Sequence, residues 1–194
     1  MKKTSILILL IAAVVIVAWA SGAYNSMVKV QEQATTALAN VQSTYQRRAD
    51  LIPNLVETVK GYAAHEKETL EGVVNARAKA TSINLDAENL TPEKMQEFQK
   101  AQGELSGALG RLIAVGEAYP DLKANDNFRD LQVQLEGTEN RINEARNKFN
   151  VAAQEYNVTI RRFPKNLLAG MFGFDKMAKF EAEAGAEKAP EVKF

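Results

Sequence analysis

The sequence of 194 residues contains no cysteine and a single histidine, His65. Without cysteine there is no disulfide, no thiol nucleophile and no cysteine-ligated zinc or iron–sulfur site. One imidazole is also too few for the common zinc sites that use two or three. The residue types that most often carry catalysis are therefore scarce, and the composition predicts no metal, no cofactor and no enzymatic activity.

The sequence also lacks an excess of charge of either sign, because 24 lysines and arginines balance 24 aspartates and glutamates. A nucleic-acid-binding domain normally carries a basic excess, so nucleic acid is not an expected partner. The balance hides a segregation, since Lys2 and Lys3 precede a long apolar run. The part of the chain that follows this run is slightly acidic.

The apolar run lies between Thr4 and Ala23, which contain no charged residue. A helix of about 20 apolar residues can cross the hydrocarbon core of a bilayer, where its backbone satisfies its own hydrogen bonds. Trp19 and Tyr24 fall at the outer end, where amphipathic rings favour the interface. We therefore expect a transmembrane anchor over residues 1–23.

Lysines at the start of the anchor place the short amino terminus in the cytoplasm by the positive-inside rule, and the rest of the chain in the periplasm or outside the cell. A cleaved signal peptide is the alternative, because Ala18-Trp-Ala20 before Ser21 resembles a cleavage site. Cleavage after Ala20 would release a secreted or periplasmic binding bundle. The absence of a polar break between the run and the next helical pattern favours the anchor.

From residue 24 onward, apolar residues recur every three or four positions, which is the spacing of one face of an α-helix. The clearest stripe extends from Phe128 to Phe163, the pattern of a bundle or coiled-coil seam. No segment shows the two-residue alternation of a strand. The sequence predicts an all-α fold, in which an N-terminal transmembrane helix is followed by an antiparallel up-and-down four-helix bundle of long helices over residues 24–162.

Prolines and polar segments divide these stripes. We expect the first bundle helix to end at Asp50-Leu-Ile-Pro53, because proline breaks a helix interior and Asp50 can cap the next helix. Thr91-Pro92 opens the third helix, and Tyr119-Pro120 precedes the fourth. The alternative is a helix that continues through Pro53 in a longer three-helix arrangement.

The fourth helix is expected to return to the membrane and to lead into an amphipathic segment, residues 163–174. Basic residues beside large apolar ones are typical of a segment that lies on a membrane surface, but the same residues could cap the end of the bundle. The following residues 175–194 are rich in Ala, Glu and Lys and are expected to be a flexible tail. The candidate membrane-contacting residues are Arg161, Arg162, Phe163, Lys165, Leu167, Leu168, Met171, Phe172 and Phe174.

Two features resemble catalytic patterns but are incomplete. His65-Glu66 lacks the second histidine that a zinc protease places three residues beyond the glutamate. The glutamates, such as Glu139 and Glu144, are expected to lie on solvated faces and to form pairs such as Glu144 with Lys148. A hydrolase that uses carboxylates alone is a remote alternative.

The arginine pairs have ordinary structural explanations. Arg47 and Arg48 lie near the expected end of the first bundle helix, where the helix dipole favours cations. Arg48 could also pair with Asp50 or Glu57. We therefore assign these arginines no chemical role.

Several short motifs are spread along the chain. Their residues are Tyr24, Asn25, Arg47, Arg48, Asp50, Pro53, Asn54, His65, Glu66, Tyr119, Pro120, Phe163 and Pro164. Together these motifs resemble the LemA family of bacterial membrane proteins, over most of residues 1–174, although Phe149 stands where the family often has tyrosine. The resemblance implies an N-terminal anchor and a helical bundle, which we expect in the inner membrane, and it does not imply an enzymatic activity. The relation to a magnetosome membrane protein suggests membrane organisation.

The functional prediction is a single-pass, membrane-anchored scaffold or interaction protein. Its expected partners are the lipid bilayer, other membrane proteins and further copies of the chain. No small-molecule substrate is identified from the residues.

Overall fold

The computed structural model describes residues 2–181, with residues 1 and 182–194 outside the described part. As predicted, the described chain is all-α, and it contains no strand. A short 3-10 turn, Ala87–Asn89, lies between the second and third helices. The helices are α1 (Lys2–Tyr62), α2 (Lys67–Ser82), α3 (Pro92–Ala118), α4 (Pro120–Lys123), α5 (Asp126–Arg161) and α6 (Lys165–Phe172).

Helix α1 is a single helix of 61 residues, about 90 Å long at 1.5 Å per residue. Its large apolar side chains between Ile6 and Val17 are 57–69% exposed, because nothing in the described chain packs on them. Within residues 2–181, α1 is the one helix long and apolar enough to cross a membrane. From Ala23 onward one of its faces is buried, so the apolar run and the bundle share one continuous helix.

The prediction that the first bundle helix ends near Pro53 is wrong, since α1 continues to Tyr62. Proline has no N–H, so the carbonyl of Ala49 has no donor within the helix. The guanidinium of Arg77, on α2, donates from Nε to this carbonyl at 2.8 Å. Because a tertiary partner satisfies the free carbonyl, the helix passes through the proline. Asp50 accepts a hydrogen bond from Gln46 at 2.7 Å and caps no helix.

The bundle still has four helices, because α2 begins at Lys67 and packs back against the far end of α1. The connections reverse the chain between successive long helices; α1 packs mainly on α5, and α2 packs on α3 and on α1. As predicted, Thr91 caps α3 by accepting from Lys94 N at 3.3 Å. Asn125 caps α5 in the same way, accepting from Phe128 N at 3.0 Å.

The core consists of two apolar clusters at different heights. The distal cluster lies far from the apolar run and contains residues from α1, α2, α3, α4 and α5. The proximal cluster lies near the run, and α2 contributes no buried residue to it. The distal cluster includes Ile52, Leu55, Val59, Val73, Leu105, Leu112, Leu122 and Phe128. The proximal cluster includes Met27, Leu38, Tyr45, Phe98, Ile142, Phe149, Tyr156, Met177 and Phe180.

An extended segment lies along the proximal half, which α2 does not reach. We call residues 175–181 the C-terminal strap. Its Met177 and Phe180 are 3% and 5% exposed, so this part of the expected flexible tail is packed. Side-chain amides of Asn157 and Asn150 bind its backbone. The rest of the expected tail lies outside the described residues.

Candidate functional site

Helix α6 lies beside α1 at the point where the apolar run ends. Lys165 at the start of α6 donates from Nζ to the hydroxyl of Ser26 at 2.9 Å. The ring of Tyr24 makes edge contacts with Phe172 and Phe174, with centroids 5.0 and 5.6 Å apart. These contacts fix the end of the returning chain against the exit of the anchor helix.

The two sides of α6 face different surroundings. Ala169 is buried, and Leu168 and Phe174 pack partly buried against the proximal cluster. The opposite side exposes large apolar residues, of which Phe163 is 81% and Met171 76% exposed. The segment therefore caps the bundle with one side and leaves an apolar side uncovered. We call the uncovered side the collar, and it consists of Arg161, Arg162, Phe163, Leu167, Met171 and Phe172.

A second candidate site lies deeper in the bundle, around Arg48 of α1. This arginine is buried, with 1% of its surface exposed. Its Nη1 donates to the hydroxyl of Ser106 at 2.8 Å and to the carboxylate of Glu139. Its Nη2 donates to the side-chain oxygen of Gln102 at 2.7 Å, and the guanidinium stacks 5.2 Å from the ring centroid of Tyr45. The prediction that Arg48 pairs with Asp50 or Glu57 on its own helix is wrong.

These hydrogen bonds connect all four long helices. Gln102, on α3, donates from Nε2 to the carbonyl of Ala80, on α2, at 3.1 Å. A continuous chain of bonds thus runs from Glu139 on α5 through Arg48 to Gln102 and Ala80. We call these four residues, with Ser106, the polar layer, and it lies between the two apolar clusters.

The surroundings of the polar layer are partly open. Two clefts of about 310 and 260 Å³ flank it, and both are lined by Tyr45 and Gln102. Burial raises the pKa of the Tyr45 phenol, although the nearby Arg146 and Arg48 act in the opposite direction. The contacts in this layer are hydrogen bonds, one ion pair and one stacking contact of the guanidinium on Tyr45.

At the distal end, the motif residues hold the turns between helices. The hydroxyl of Tyr119 donates to Glu66 at 3.1 Å, and this bond raises the pKa of Tyr119. Asn125 donates to the hydroxyl of Tyr62 at 3.0 Å. His65 is exposed, and no three His, Cys, Asp or Glu side chains within residues 2–181 are grouped so as to hold a metal ion.

The structure therefore does not bring the predicted motif residues into one site. They lie at three heights: the collar, the polar layer and the distal turns. Several motif residues are exposed, namely Asn25, Arg47, Asp50, Pro53, Asn54, His65 and Pro120. Pro164, which precedes α6, is half-buried.

No contact across the fold was predicted for Arg77, Gln102 and Ser106. Asn150 and Asn157 belong to the stretches that resemble the family, but no role was predicted for them either, although each follows an aromatic residue of the α5 seam. A polar residue repeated at heptad spacing next to a seam is a signal that could have identified them.

Comparison with known proteins gives a consistent set of matches. Residues 37–194 match the model of the LemA family. The chain is 31% identical over 180 residues to the magnetosome protein MamQ of Magnetospirillum gryphiswaldense, covering 84% of this chain and 66% of that relative. It is 29% identical over 183 residues to magnetosome protein MamQ 2 of Paramagnetospirillum magneticum, with the same coverage. Protein LemA of Metamycoplasma hominis is 24% identical over 161 residues, covering 83% and 70%.

Proposed function

This chain belongs to the LemA family, and on that premise we propose that it is a non-enzymatic scaffold anchored in a membrane. Its bundle presents a surface to other membrane proteins or to further copies of the chain. The chain spans 66% of the length of its MamQ relatives, which are magnetosome proteins by name. A role in membrane organisation is the part of the proposal that this relationship supports.

The observation that carries the proposal is the continuity of α1. Its exposed apolar run has the length and composition of a membrane span, and the same helix continues into the packed bundle. From Tyr24 to Tyr62 the helix rises about 57 Å at 1.5 Å per residue. A bundle fixed to its anchor in this way holds the distal turns at a set distance from the bilayer.

We further propose that the bundle stands outside the cytoplasm, in the periplasm or at the cell surface, because Lys2 and Lys3 precede the span. The chain lacks cysteine, so a single Val133→Cys variant introduces one label site on the exposed side of α5. A membrane-impermeant maleimide is expected to label this variant in intact cells whose outer barrier has been opened. Labelling only after the inner membrane is lysed would show that the bundle lies in the cytoplasm, opposite to the proposed orientation.

Cleavage after Ala20, which would release a secreted or periplasmic binding bundle, is the alternative. It would cut α1 within one uninterrupted helix, and Trp19 would be lost with the leader. The intact mass of the protein purified from membranes decides between the two. A measured mass that corresponds to a chain beginning at Ser21 would rule out the membrane anchor.

We also propose that the collar lies on the bilayer surface. Its apolar side chains are at the level where the span ends, because Tyr24 contacts Phe172 and Lys165 contacts Ser26. Arg161 and Arg162, both exposed beside it, would favour anionic lipid. The same segment then caps the bundle and contacts the headgroups, so the two interpretations of the sequence are compatible.

Site-specific fluorescence in the full-length protein tests the collar. An environment-sensitive fluorophore is attached at Met171→Cys, or at Val133→Cys as a matched control, since both native side chains are about equally exposed. In liposomes we expect blue-shifted emission and quenching by spin-labelled lipid only for the collar position, more strongly with anionic lipid. Equal emission from the two positions would contradict membrane contact.

A hydrolase that uses carboxylates alone finds no support in the described residues. Glu66 accepts from Tyr119 in the distal turns, and Glu139 binds Arg48 in the polar layer. These two carboxylates thus lie at different levels of the bundle and do not face one another across a cleft. We therefore favour the scaffold.

A further inference from the structure

The backbone of the C-terminal strap forms hydrogen bonds in the pattern of a β-strand, but its partners are side-chain amides and not a second strand. Asn157 donates to the carbonyl of Met177 and accepts from its N–H, both at 2.9 Å. Asn150 makes the same pair of bonds with Phe180, again both at 2.9 Å. Each carboxamide therefore supplies the donor and the acceptor that a neighbouring strand would supply.

The spacing of these two clamps matches an extended chain. Asn150 and Asn157 are two helical turns apart on α5, about 10.5 Å at 1.5 Å per residue. Met177 and Phe180 are three residues apart, about 10 Å in an extended chain. Gln99, on α3, adds a third pair of bonds to the backbone of Glu181, at 2.9 and 3.4 Å. The groove between α3 and α5 is thus a ready-made site for an extended segment that runs antiparallel to α5.

Two apolar side chains complete the recognition. Phe180 makes edge contacts with Phe149 and Phe98, with centroids 5.6 and 6.4 Å apart, and Met177 is buried in the proximal cluster. The guanidinium of Arg146 lies 5.0 Å from the Phe180 ring. The segment that fits this groove has a methionine and a phenylalanine three residues apart, and the strap of this chain is such a segment.

The strap follows the glycine that ends α6 and the ring of Phe174, which packs on Tyr24. Gly173, at the end of α6, has a φ of 72°, a conformation that glycine adopts without strain. A cavity of about 330 Å³ remains between the strap and the start of α3. The groove therefore holds the strap through its backbone and two side chains while leaving other space beside it unfilled.

We propose that the groove between α3 and α5 accepts the strap of a second copy, so that neighbouring molecules exchange straps. Exchange of an identical element re-forms the same bonds in each molecule and is a low-cost route to a dimer. Within one chain the groove binds the chain's own strap. The strap of a second copy has the same sequence, so it fits the groove equally well. This inference rests on the proposed self-association of an anchored protein.

The anchor makes the geometry of exchange favourable. Because every copy is held in the same bilayer with the same orientation, the strap of one molecule and the groove of its neighbour lie at the same height. A two-fold axis along the membrane normal would relate the two molecules and make the exchange reciprocal. Confinement to one plane also raises the effective concentration of the partner groove.

Cross-linking between two distinguishable copies tests the exchange. Gln96 and Lys179 are exposed residues that line the same cavity beside the strap. One tagged full-length copy carries Gln96→Cys and a differently tagged copy carries Lys179→Cys, and a short bis-maleimide is added to membranes that contain both. We expect heterodimeric cross-links several-fold above those formed when Val133→Cys replaces Gln96→Cys.

An added substitution separates exchange from simple proximity. Asn150→Asp removes the amide donor of one clamp, so introducing it into the groove copy is expected to reduce the cross-link strongly, whereas Asn147→Asp, on the exposed face of α5, leaves it unchanged. Cross-links at the Val133→Cys level, or insensitivity to Asn150→Asp, would overturn the exchange.

The oligomeric state in gentle detergent distinguishes the inference from the function on which it rests. Oligomers without the Gln96–Lys179 cross-link mean that the copies associate through another surface, so only the exchange fails. Monomers without any cross-link contradict both the exchange and the proposed self-association.

Discussion

The distal and proximal halves of the bundle are built differently. In the distal half, α1, α2, α3 and α5 all contribute apolar residues to one cluster. In the proximal half α2 is absent, and the C-terminal strap takes its place through side-chain amides. Apolar packing of four helices is collective, whereas the strap is a short extended segment held by side-chain amides and by the buried Met177 and Phe180. We therefore expect local opening to begin at the strap, in the proximal half, before the distal half opens.

The polar layer at the border of the two halves is expected to give the largest effect. Glu139→Ala removes the carboxylate that binds the buried Arg48 and leaves a buried charge without its partner. Because the Glu139 side chain is 45% exposed and Arg48 keeps its bonds to Ser106 and Gln102, we expect a cost of about 1.5–3 kcal/mol, the range for a lost hydrogen bond to a charged group. Because the layer joins all four helices, we expect both halves to be destabilised, as measured by thermal unfolding and by hydrogen exchange.

The control for this change is Glu144→Ala on the same helix. Glu144 binds Lys148 at 2.6 Å, as the sequence predicted, but both side chains are exposed. An exposed pair of this kind contributes little to stability, because solvent screens it. Equal destabilisation by the two substitutions would mean that the polar layer has no special role at the border.

The contact of Arg77 with the Ala49 carbonyl is expected to give the next largest effect, confined to the distal half. Arg77→Ala leaves that carbonyl without a donor, at a cost of about 1–3 kcal/mol. In a Pro53→Ala background, the restored N–H can bond to the same carbonyl within the helix, so Arg77→Ala should then cost much less. Urea unfolding of the four proteins of this double-mutant cycle measures the difference.

A coupling near zero in that cycle would show that Arg77 does not compensate for the proline. The double-mutant design matters because Arg77→Ala also removes a packed side chain, which destabilises in either background. Only the part that depends on Pro53 reports on the free carbonyl.

The proximal half is probed by Asn150→Asp in the otherwise unchanged protein. The substitution preserves size but removes the donor to Phe180, and it places a carboxylate near that carbonyl. We expect faster hydrogen exchange at the strap amides of Met177 and Phe180, while the distal amides of α2 keep their protection. Asn147→Asp is the control, and a uniform loss of protection across α2 and the strap would contradict independent halves.

The same contrast explains which features were predictable from sequence. The apolar run, the helical stripes and the Thr91 cap depend on residues close together in the chain, and all are present. The predicted end of the first helix was wrong. The rule that proline breaks a helix takes account of the N–H that Pro53 lacks, but not of a donor such as Arg77 that comes from another helix. Local periodicity distinguishes a helix from a strand, but it cannot identify partners that meet only when helices pack.

The candidate sites show the same division. The segment around α6 was singled out from its own composition, because basic and large apolar residues lie side by side, and its exposed apolar side chains are present, while its membrane contact stays a prediction. Glu139 was assigned to a solvated face, although it binds Arg48 from a distant helix. The strap was expected to be flexible from its composition, because nothing near it in sequence indicates the asparagines of α5 that hold it.

The smallest expected effect concerns an ion pair on the surface of the bundle. Lys79 on α2 and Glu104 on α3 are 2.7 Å apart, and the hydrogen bond from Lys79 lowers the pKa of the Glu104 carboxyl. Since the folded pKa lies below the unfolded one, the stabilisation is present above the unfolded pKa and is lost as the pH falls through the folded pKa. Both partners are substantially exposed, so salt screens the interaction.

Glu104→Gln should therefore lower the melting temperature slightly at neutral pH and not at all once the carboxyl is protonated in both states. High salt should abolish the small difference at neutral pH. A difference that persists in acid would indicate that Glu104 acts through packing between α2 and α3. In that case, the stability of the distal half would depend on this surface contact as well as on its apolar cluster.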